Sequence, residues 1–351
     1  MSQYFQNLEE KTKQYFHILS EEIPDFLYDY VETPEMQKQN QISVSCGTVY
    51  SKMFQRDWYS SLDHSVGVAL IIWHFTKDKK QTLAGLFHDI STPVFKHTID
   101  FMNGDYEKQE FTEGLTNEII RKSKEIMQYL NKDGIKIEEV DDYHQYPIAD
   151  NDRPQLASDR LEYIFSDGFR AIANLWNLAE IKKVYENIEV LENEQGMPEL
   201  GFRNLEMAER FVEVASKLSL LYNANETIFS MQFLADIVKK MYEKNRITME
   251  DLYQLSEKEM IQKIENCQDD NIAECFKIWR NATEIKESEE KIEGKYCVKI
   301  ENLKIRYINP LVKIDHNAKR ASEISEKAKR DIESALHFKP NKFAYLDFNL
   351  E

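Results

Sequence analysis

The sequence predicts an all-α fold, a helical bundle with a small β-hairpin-containing appendage near its C-terminal end. Apolar side chains recur every three to four residues through most of the chain, which is the period of a helix. The 351 residues include only 10 glycines and 8 prolines, so few residues interrupt helices. Strict alternation of apolar and polar residues is clear only at 296–308, where we predict the hairpin.

The individual helices follow from the apolar pattern and the residues that interrupt it. Helices are predicted at 62–76, 81–90, 94–102, 110–130, 155–167, 174–190, 203–223, 225–244, 248–266, 270–283 and 316–336. Pro93 should end the second of these, because the residue before a proline disfavours helical conformation. Thr248 and Ser256 each stand three positions before an acidic residue, which fits a capping box. The polar stretch 131–154 predicts a loop.

The character of the chain changes near residue 285, where a highly charged segment interrupts the helical pattern. We therefore predict a helical body at 1–285, with a metal-binding core at about 46–170. Residues 286–351 are predicted to form a subdomain with the hairpin and a helix. The hydrophobic fraction of 42% is ordinary for a globular protein.

Composition excludes several classes of protein. A net charge of -17 argues against general nucleic-acid binding, because the phosphate backbone would be repelled, although one basic cleft for a small phosphate remains compatible with it. No apolar run reaches the roughly 18–20 residues of a membrane span. The first residues show no basic segment followed by an apolar stretch, which is the pattern of a secretory signal. The 4 cysteines form no Cys-x-x-Cys motif, which argues against a cysteine zinc site. We expect a cytoplasmic protein, whose helix-rich body would suit a homo-oligomer.

Two histidines and two aspartates stand at positions that suit a metal site. His64 lies near the start of one apolar helix, and His88-Asp89 lies at the end of the next. Asp159 begins a later helix. Singly, each has an ordinary explanation as a core or surface histidine or, for Asp159, as a helix N-cap. Together they suit one divalent ion, with Mn, Fe, Co or Ni favoured and Mg or Zn as further candidates.

The residues around these four positions resemble those of HD-domain phosphohydrolases. Asp63–Ala69 (Asp-His-Ser-Val-Gly-Val-Ala) resembles the first-histidine motif of that superfamily, and Gly85–Ile90 (Gly-Leu-Phe-His-Asp-Ile) resembles its His-Asp signature. Asp159–Tyr163 (Asp-Arg-Leu-Glu-Tyr) resembles the motif of the last metal ligand. The resemblance covers most of residues 46–167 and implies a helical, metal-dependent phosphohydrolase.

Within the superfamily, three further segments resemble the deoxynucleotide triphosphohydrolase branch, which includes the bacterial dGTPases. Pro93–His97 resembles the segment after the His-Asp pair, and Cys46–Thr48 stands where that branch has a substrate-contacting loop. Lys304–Pro310 resembles its C-terminal strand motif. The implied substrate is a small phosphorylated molecule, in this branch a nucleotide.

The resemblance also implies roles for single residues. As metal ligands it implies His64, His88, Asp89 and Asp159. As substrate contacts it implies Gly47, Arg160, Tyr163 and Asp167. Tyr163 and Asp167 follow Asp159 by four and eight positions and share its helix face. The resemblance implies that these two residues contact a sugar and that Arg160 meets a phosphate. Without the resemblance, Tyr163 is equally well a core aromatic residue and Arg160 a solvated surface charge.

The chain departs from the branch at positions that matter for catalysis. Thr92 replaces a histidine expected three residues after Asp89, and Gln109 replaces a histidine expected before a glutamate. Ser61 replaces an arginine expected three residues before the first metal ligand, and Arg56 is nearby but out of register. The remaining candidates for proton transfer are Glu110, His97 and Asp63, and His97 is equally explained by helix packing or capping.

Three functions are compatible with these observations. The first is an enzyme that hydrolyses a nucleotide or related phosphoester with a water activated by the bound metal. The second is a catalytically impaired HD protein that acts as a nucleotide- or metal-binding regulator, which the departures at Thr92 and Gln109 favour. The third is a helical scaffold for protein partners, which the retention of all four metal-ligand types disfavours.

Overall fold

Helices make up most of the regular structure, as predicted. The structure, a computed structural model, describes residues 2–107, 115–340 and 342–350. The earlier α-helices are α1 (Gln3–Asn7), α2 (Glu10–Leu19), α3 (Phe26–Val31), α4 (Pro34–Gln39), α5 (Ser61–Thr76), α6 (Lys79–Phe87), α7 (Thr98–Met102), α8 (Thr116–Lys122), α9 (Lys124–Asp133) and α10 (Ser158–Ser166). The later ones are α11 (Leu178–Tyr185), α12 (Leu205–Tyr222), α13 (Asn225–Glu243), α14 (Met249–Gln254), α15 (Glu257–Glu265), α16 (Asp270–Asn281), α17 (Ala321–Ile324) and α18 (Glu326–His337).

Two small sheets make the term all-α imprecise. The strands are β1 (Ile188–Glu192), β2 (Pro198–Phe202), β3 (Lys286–Ser288), β4 (Cys297–Val298), β5 (Leu311–Ile314), β6 (Asn317–Arg320) and β7 (Phe343–Tyr345). One sheet has the order β1-β2-β5-β6, and the other has the order β3-β7-β4. In the first sheet β5 pairs in parallel with β2, with Gly201 opposite Leu311. Residues near the C-terminal end are thus added to the hairpin that β1 and β2 form.

The hairpin predicted at 296–308 is wrong in position. β4 pairs with β7, and residues 299–310 form no strand. The C-terminal hairpin is instead β5–β6, in which Ile314 and Asn317 pair across a two-residue turn. Asp315 takes up a φ of 52° in that turn, a conformation that Asp tolerates better than most residues. The alternating pattern at 303–308 therefore does not mark a strand, and the boundary at residue 285 stays a prediction.

The helices that position the site are well defined by local sequence. α5 begins with a capping box in which the Ser60 hydroxyl accepts from Asp63 N–H and the Asp63 carboxylate accepts from Ser60 N–H. α6 packs closely against α5 at Gly85, where an added Cβ would lie 2.2 Å from Ile72 Cδ1. The predicted capping boxes at Thr248 and Ser256 are both present.

Two hydrophobic cores meet at one large cavity. The first core joins side chains of α2, α5, α6, α10, α11 and α12, and the second joins α13, α15 and α16 with β4 and β7. His64 of α5 and Met231 of α13 both line the cavity between them. The cavity walls therefore come from both halves of the described chain.

Candidate metal centre and its cavity

The four predicted metal ligands converge at the cavity. His64 Nε2 lies 3.2 Å from His88 Nε2 and 3.1 Å from Asp159 Oδ1. His88 Nε2 lies 3.7 Å from Asp159 Oδ1 and 3.7 Å from Asp89 Oδ2. Ligand atoms of His64, His88 and Asp89 all lie within 4.8 Å of one another. The helical spacing read from the sequence thus brings the four side chains to one place.

The hydrogen bonds of the two histidines fit a cation between them. His88 Nδ1 lies 2.7 Å from the Gly85 carbonyl oxygen, which can only accept, so this nitrogen carries a proton. His64 Nδ1 donates to the carboxylate of Glu162. In the neutral rings both Nε2 atoms are therefore lone-pair acceptors, and they face each other and the Asp159 carboxylate. Such a set of acceptors suits a divalent ion with imidazole and carboxylate ligands.

The electrostatics of the cluster attract positive charge. Burial alone would lower the pKa of His64, but Glu162 and Asp159 outweigh it and raise that pKa to about 10. Burial would raise the pKa of Asp159, yet the hydrogen bond and charge of His64 hold it below its ordinary value. A proton and a metal ion would compete for this position, because metal ligands must be deprotonated.

Glu162 is a site residue that the sequence analysis missed. Its carboxylate is fully buried and accepts from Tyr59 at 2.8 Å, from Tyr15 at 3.2 Å and from Ser166 at 3.1 Å, besides His64. A carboxylate behind a ligating histidine fixes its tautomer and raises its basicity. The available signal was its position three residues after Asp159, since residues three apart share a helix face.

Gly67, one turn after His64 on α5, makes room for that carboxylate. A Cβ at Gly67 would lie 2.7 Å from Glu162 Oε1. The glycine in the first-histidine motif therefore has a packing explanation.

Asp89 is held by Ser61 and Thr92, which are two of the residues that depart from the pattern of the deoxynucleotide triphosphohydrolase branch. Ser61 Oγ donates to Asp89 Oδ2 at 3.1 Å, and Thr92 Oγ1 donates to Asp89 Oδ1 at 3.1 Å. Lys96 Nζ also pairs with Asp89 Oδ2. Burial would raise the pKa of Asp89, but Lys96 holds it well below its usual range. Thr92 and Ser61 thus orient a predicted ligand.

The cavity has a volume of about 730 Å³, which suits a small-molecule ligand. Its lining includes basic side chains although the protein is acidic overall; these are Arg56, Lys96, Arg153, Arg160, Lys304 and Arg306. Aromatic side chains lie between them; these are Tyr143, Tyr163 and Tyr222. A cavity with cationic and aromatic walls fits a phosphorylated molecule that carries a ring.

The predicted substrate contacts on α10 line this cavity. Arg160 is only 8% exposed, so it is no solvated surface charge; it pairs with Asp150 Oδ1 at 3.0 Å and Asn151 Oδ1 at 2.7 Å. Burial raises the pKa of Tyr163 to about 12. Asp167, just past the end of α10, accepts from Tyr222 at 2.6 Å, and burial raises its pKa to about 6.

Gly47, the fourth predicted substrate contact, does not line the cavity. It has a φ of 77°, and an added Cβ would lie 2.6 Å from Phe95 Cδ1. Its absence of a side chain therefore serves the packing of Phe95, while the neighbouring Cys46 reaches the cavity wall.

The three predicted proton-transfer residues have different placements. His97 lines the cavity, its Nδ1 lies 2.9 Å from Asp100 Oδ2, and burial lowers its pKa. Asp63 is not part of the cavity lining: it caps α5 and accepts from the Tyr4 hydroxyl at 2.6 Å, so its carboxylate is used structurally. Glu110 lies outside the described residues, as does Gln109.

Arg56 and Arg306 are cavity residues whose placement the sequence did not indicate. Arg56 is out of register with the expected arginine, yet it lines the cavity and donates to Thr48. Arg306 lies 5.8 Å from the ring centre of Tyr222. The motif at Lys304–Pro310 was the available signal for Arg306, but sequence separation hid its proximity to α10.

Known proteins of similar sequence and structure cover nearly the whole chain. No family model matches it. It is 25% identical over 299 residues to YdhJ, an uncharacterized protein of Bacillus subtilis, which covers 84% of this chain and 87% of that one. A crystal structure of a hypothetical protein from Aquifex aeolicus has a TM-score of 0.62 at 16% identity, covering 93% of each chain.

A phosphohydrolase from Bacteroides thetaiotaomicron has a related structure, with a TM-score of 0.60 at 14% identity, covering 92% of this chain and 96% of that one. At this identity the likeness concerns the fold. In the described part of the chain, no helix has the length and apolar character required to cross a membrane. The chain therefore shares the fold of a phosphohydrolase, and it groups two histidines and an aspartate in a cluster whose side-chain types suit a divalent metal ion.

Proposed function

We propose that the chain is a metal-dependent phosphohydrolase of the HD superfamily that acts on a nucleotide or a related phosphoester. The observation that carries this proposal is the set of acceptors formed by His64, His88, Asp89 and Asp159 in a cavity with basic walls. The shared fold with a phosphohydrolase supports it.

The proposed cofactor is one divalent ion held by His64, His88, Asp89 and Asp159. The mixed imidazole and carboxylate set favours Mn, Fe, Co or Ni, with Mg or Zn as further candidates. When bound, such an ion would make a water molecule more acidic and polarise a phosphoryl oxygen. Glu162 and the Gly85 carbonyl would keep the two imidazoles in the tautomer that ligation requires.

His97 is the described residue best placed to move a proton. Hydrolysis forms a bond from water oxygen to phosphorus, breaks the bond to the leaving oxygen, and transfers one proton from the water to that oxygen. Burial keeps the pKa of His97 below its ordinary value, so the ring is neutral and can accept the proton at neutral pH. Asp100 holds the ring through Nδ1 at 2.9 Å and would stabilise its charged form until the proton moves on.

The remaining walls suit a nucleotide. Arg56 and Arg306 would meet phosphates, and Tyr163 with Asp167 would contact the sugar. The entry of Lys304 and Arg306 into the same cavity as α10 favours the deoxynucleotide triphosphohydrolase branch, whose C-terminal motif these residues resemble.

A second candidate function is a nucleotide- or metal-binding regulator without turnover. The observation that favours it is Thr92, which holds Asp89 through its hydroxyl at 3.1 Å in place of a histidine that could move protons. Such a protein would keep the metal and the ligand cavity but would lack efficient protonation of the leaving oxygen.

Metal analysis followed by a phosphate-release screen tests both functions. The protein is loaded separately with Mn, Fe, Co, Ni and Mg and given dNTPs, NTPs, monophosphates and cyclic dinucleotides. We expect roughly one metal ion per chain, from the four-residue ligand set, and turnover of at least one phosphoester. A nucleotide that raises the melting temperature without being hydrolysed would favour the regulator, and absence of both metal and ligand binding would refute both.

A further inference from the structure

A buried lysine stands beside the predicted metal ligands. Lys96 is 8% exposed and lines the cavity. Its Nζ pairs with Asp89 Oδ2 and donates to Ser61 Oγ at 3.3 Å. A charged side chain is costly to bury unless a partner or a ligand compensates it, so this position needs an explanation.

The turn that carries Lys96 has an unfavourable backbone conformation. Phe95 has a φ of 61° and Lys96 a φ of 43°, in a region that residues other than glycine rarely enter. Packing holds the turn there, because the fully buried Phe95 ring lies against the side-chain-free Gly47. The result is that Lys96 and His97 both reach the cavity.

The carboxylate of Asp89 compensates the charge of Lys96, but it does not occupy all three donors of the ammonium group. Its Oδ1 already accepts from Thr92 and its Oδ2 from Ser61, each at 3.1 Å. The ammonium group of a lysine has three donors, and among the described residues Lys96 uses two, for Asp89 and Ser61. One donor therefore remains for a molecule in the cavity.

We propose that Lys96 binds a non-bridging oxygen of the phosphoryl group that the metal centre holds. This inference rests on the proposed phosphohydrolase function and names the group that adds a second positive charge at the reacting phosphate. Charge on the phosphoryl oxygens is best stabilised by cations that are already in place, and the buried turn fixes this one. The described residues offer one cluster of three or more metal-ligating side chains, and Lys96 is the cationic side chain that contacts a member of it, Asp89.

The test measures phosphate binding, which does not require turnover. Wild type and Lys96→Met, each loaded with one equivalent of Mn, are titrated with inorganic phosphate by calorimetry. Methionine keeps an unbranched apolar stem and removes the charge. We expect the Kd for phosphate to rise about 10- to 100-fold, as for the loss of a hydrogen bond to a charged group. Metal content should stay the same or rise, because a competitor for Asp89 is gone.

Lys38→Met is the matched control. Lys38 is a half-buried lysine near this loop, but its Nζ donates to the Thr92 carbonyl at 2.7 Å and it does not line the cavity. Its removal should lower the melting temperature while leaving the phosphate Kd within about twofold, which is well under one ordinary hydrogen bond. Lys96→Arg, which keeps the charge, should retain most of the affinity for phosphate. If Lys96→Met does not fold, the phosphate Kd of Lys96→Arg tests the proposal instead.

Three outcomes would overturn the proposal: equal phosphate affinity in wild type and Lys96→Met, loss of metal in Lys96→Met, or no phosphate binding by the metal-loaded wild type. Failure of the proposed function is a different result. In that case no substrate is hydrolysed, while the difference in phosphate affinity between wild type and Lys96→Met can still be present.

Discussion

The two sides of the cavity differ in how the chain builds them. The metal side consists of His64, His88, Asp89 and Asp159. The two histidines donate to Glu162 and to the Gly85 carbonyl, and Asp89 accepts from Ser61. The substrate side consists of Arg56, Tyr222, Lys304 and Arg306, which come from distant parts of the chain. The proposed metal ligands thus lie in short motifs, whereas the proposed substrate walls depend on how far-separated segments pack.

This difference predicts that variants on the two sides will fail in different ways. A change on the metal side should remove the ion and with it all chemistry. A change on the substrate side should leave the ion in place and alter the apparent affinity for substrate. The following experiments take the expected effects from the largest to the smallest.

Loss of a ligand should have the largest effect. His88→Ala removes one of the two imidazoles, and we expect elemental analysis to find most of the metal gone and phosphate release to fall by at least about 1000-fold. The melting temperature of this variant should no longer rise when metal is added, because an ion that binds the native state stabilises it. Full metal content in His88→Ala would contradict the assignment of His88 as a metal ligand.

Weakening the support behind a ligand should have the next largest effect. Glu162→Gln keeps an acceptor for His64 Nδ1 but removes the negative charge, and we expect metal affinity to fall about 10- to 100-fold. Metal titrations in a competing chelator would measure it. Tyr59→Phe removes only the 2.8 Å hydrogen bond to Glu162 and serves as the matched control with a smaller loss. Equal metal affinity in Glu162→Gln and wild type would show that this carboxylate only fills space.

A change on the substrate side should raise KM and spare the metal. Arg306→Met removes one charge from the wall beside Tyr222, and we expect KM to rise about tenfold or more, as for one lost hydrogen bond to a phosphate. Arg203→Met, at an exposed arginine outside the cavity, is the control for charge and composition. If Arg306→Met lost the metal, the division into two sides would be wrong.

The smallest expected effect is a pH-dependent change in stability at Asp167. Burial raises its pKa to about 6 in the folded protein, above its ordinary value, so the ionised form is destabilising. That cost is present above pH 6 and disappears as the pH falls through the folded and then the unfolded pKa.

Asp167→Asn should therefore raise the melting temperature at pH 8 by a few degrees and have little effect near pH 4. For a pKa shift of this size, the corresponding gain in the free energy of unfolding at pH 8 is about 1–3 kcal/mol. Thermal unfolding of metal-free wild type and variant across this range would measure it. A gain that is constant with pH would show that Asp167 is not the titrating group.

The sequence predicted that the four proposed metal ligands lie close together, because the motifs that carry them are local. Helical periodicity placed α5, α6 and α10, and the spacing of ligands along them decided which side chains face one another. Glu162 follows the same periodicity, three positions after Asp159 on α10, but it contacts a ligand and does not itself belong to the ligand pattern. Thr92 and Ser61 were interpreted as losses, whereas both donate to Asp89.

The sequence could not predict contacts that depend on long-range packing. The strands β1 and β2 are five residues each, too short for a clear period-two pattern, and part of β1 fell within a predicted helix. The pairing of β2 with β5 joins Gly201 to Leu311, and no local pattern reveals such a partner. Arg306 reaches the cavity because of that packing, so the periodicity of the sequence could not predict its place in the cavity wall.

The wall segment Leu303–Arg306 has a consequence for biosynthesis. It lies between β4 and β5, and it is fixed where Lys304 N–H donates to the Tyr106 carbonyl at 3.1 Å and where Arg153 donates to the Ile305 carbonyl at 3.1 Å. These residues leave the ribosome long after Asp159, and pairing across the 110 positions from Gly201 to Leu311 is slow to form. A nascent chain would thus bring the four proposed metal ligands together before the wall segment could close the cavity.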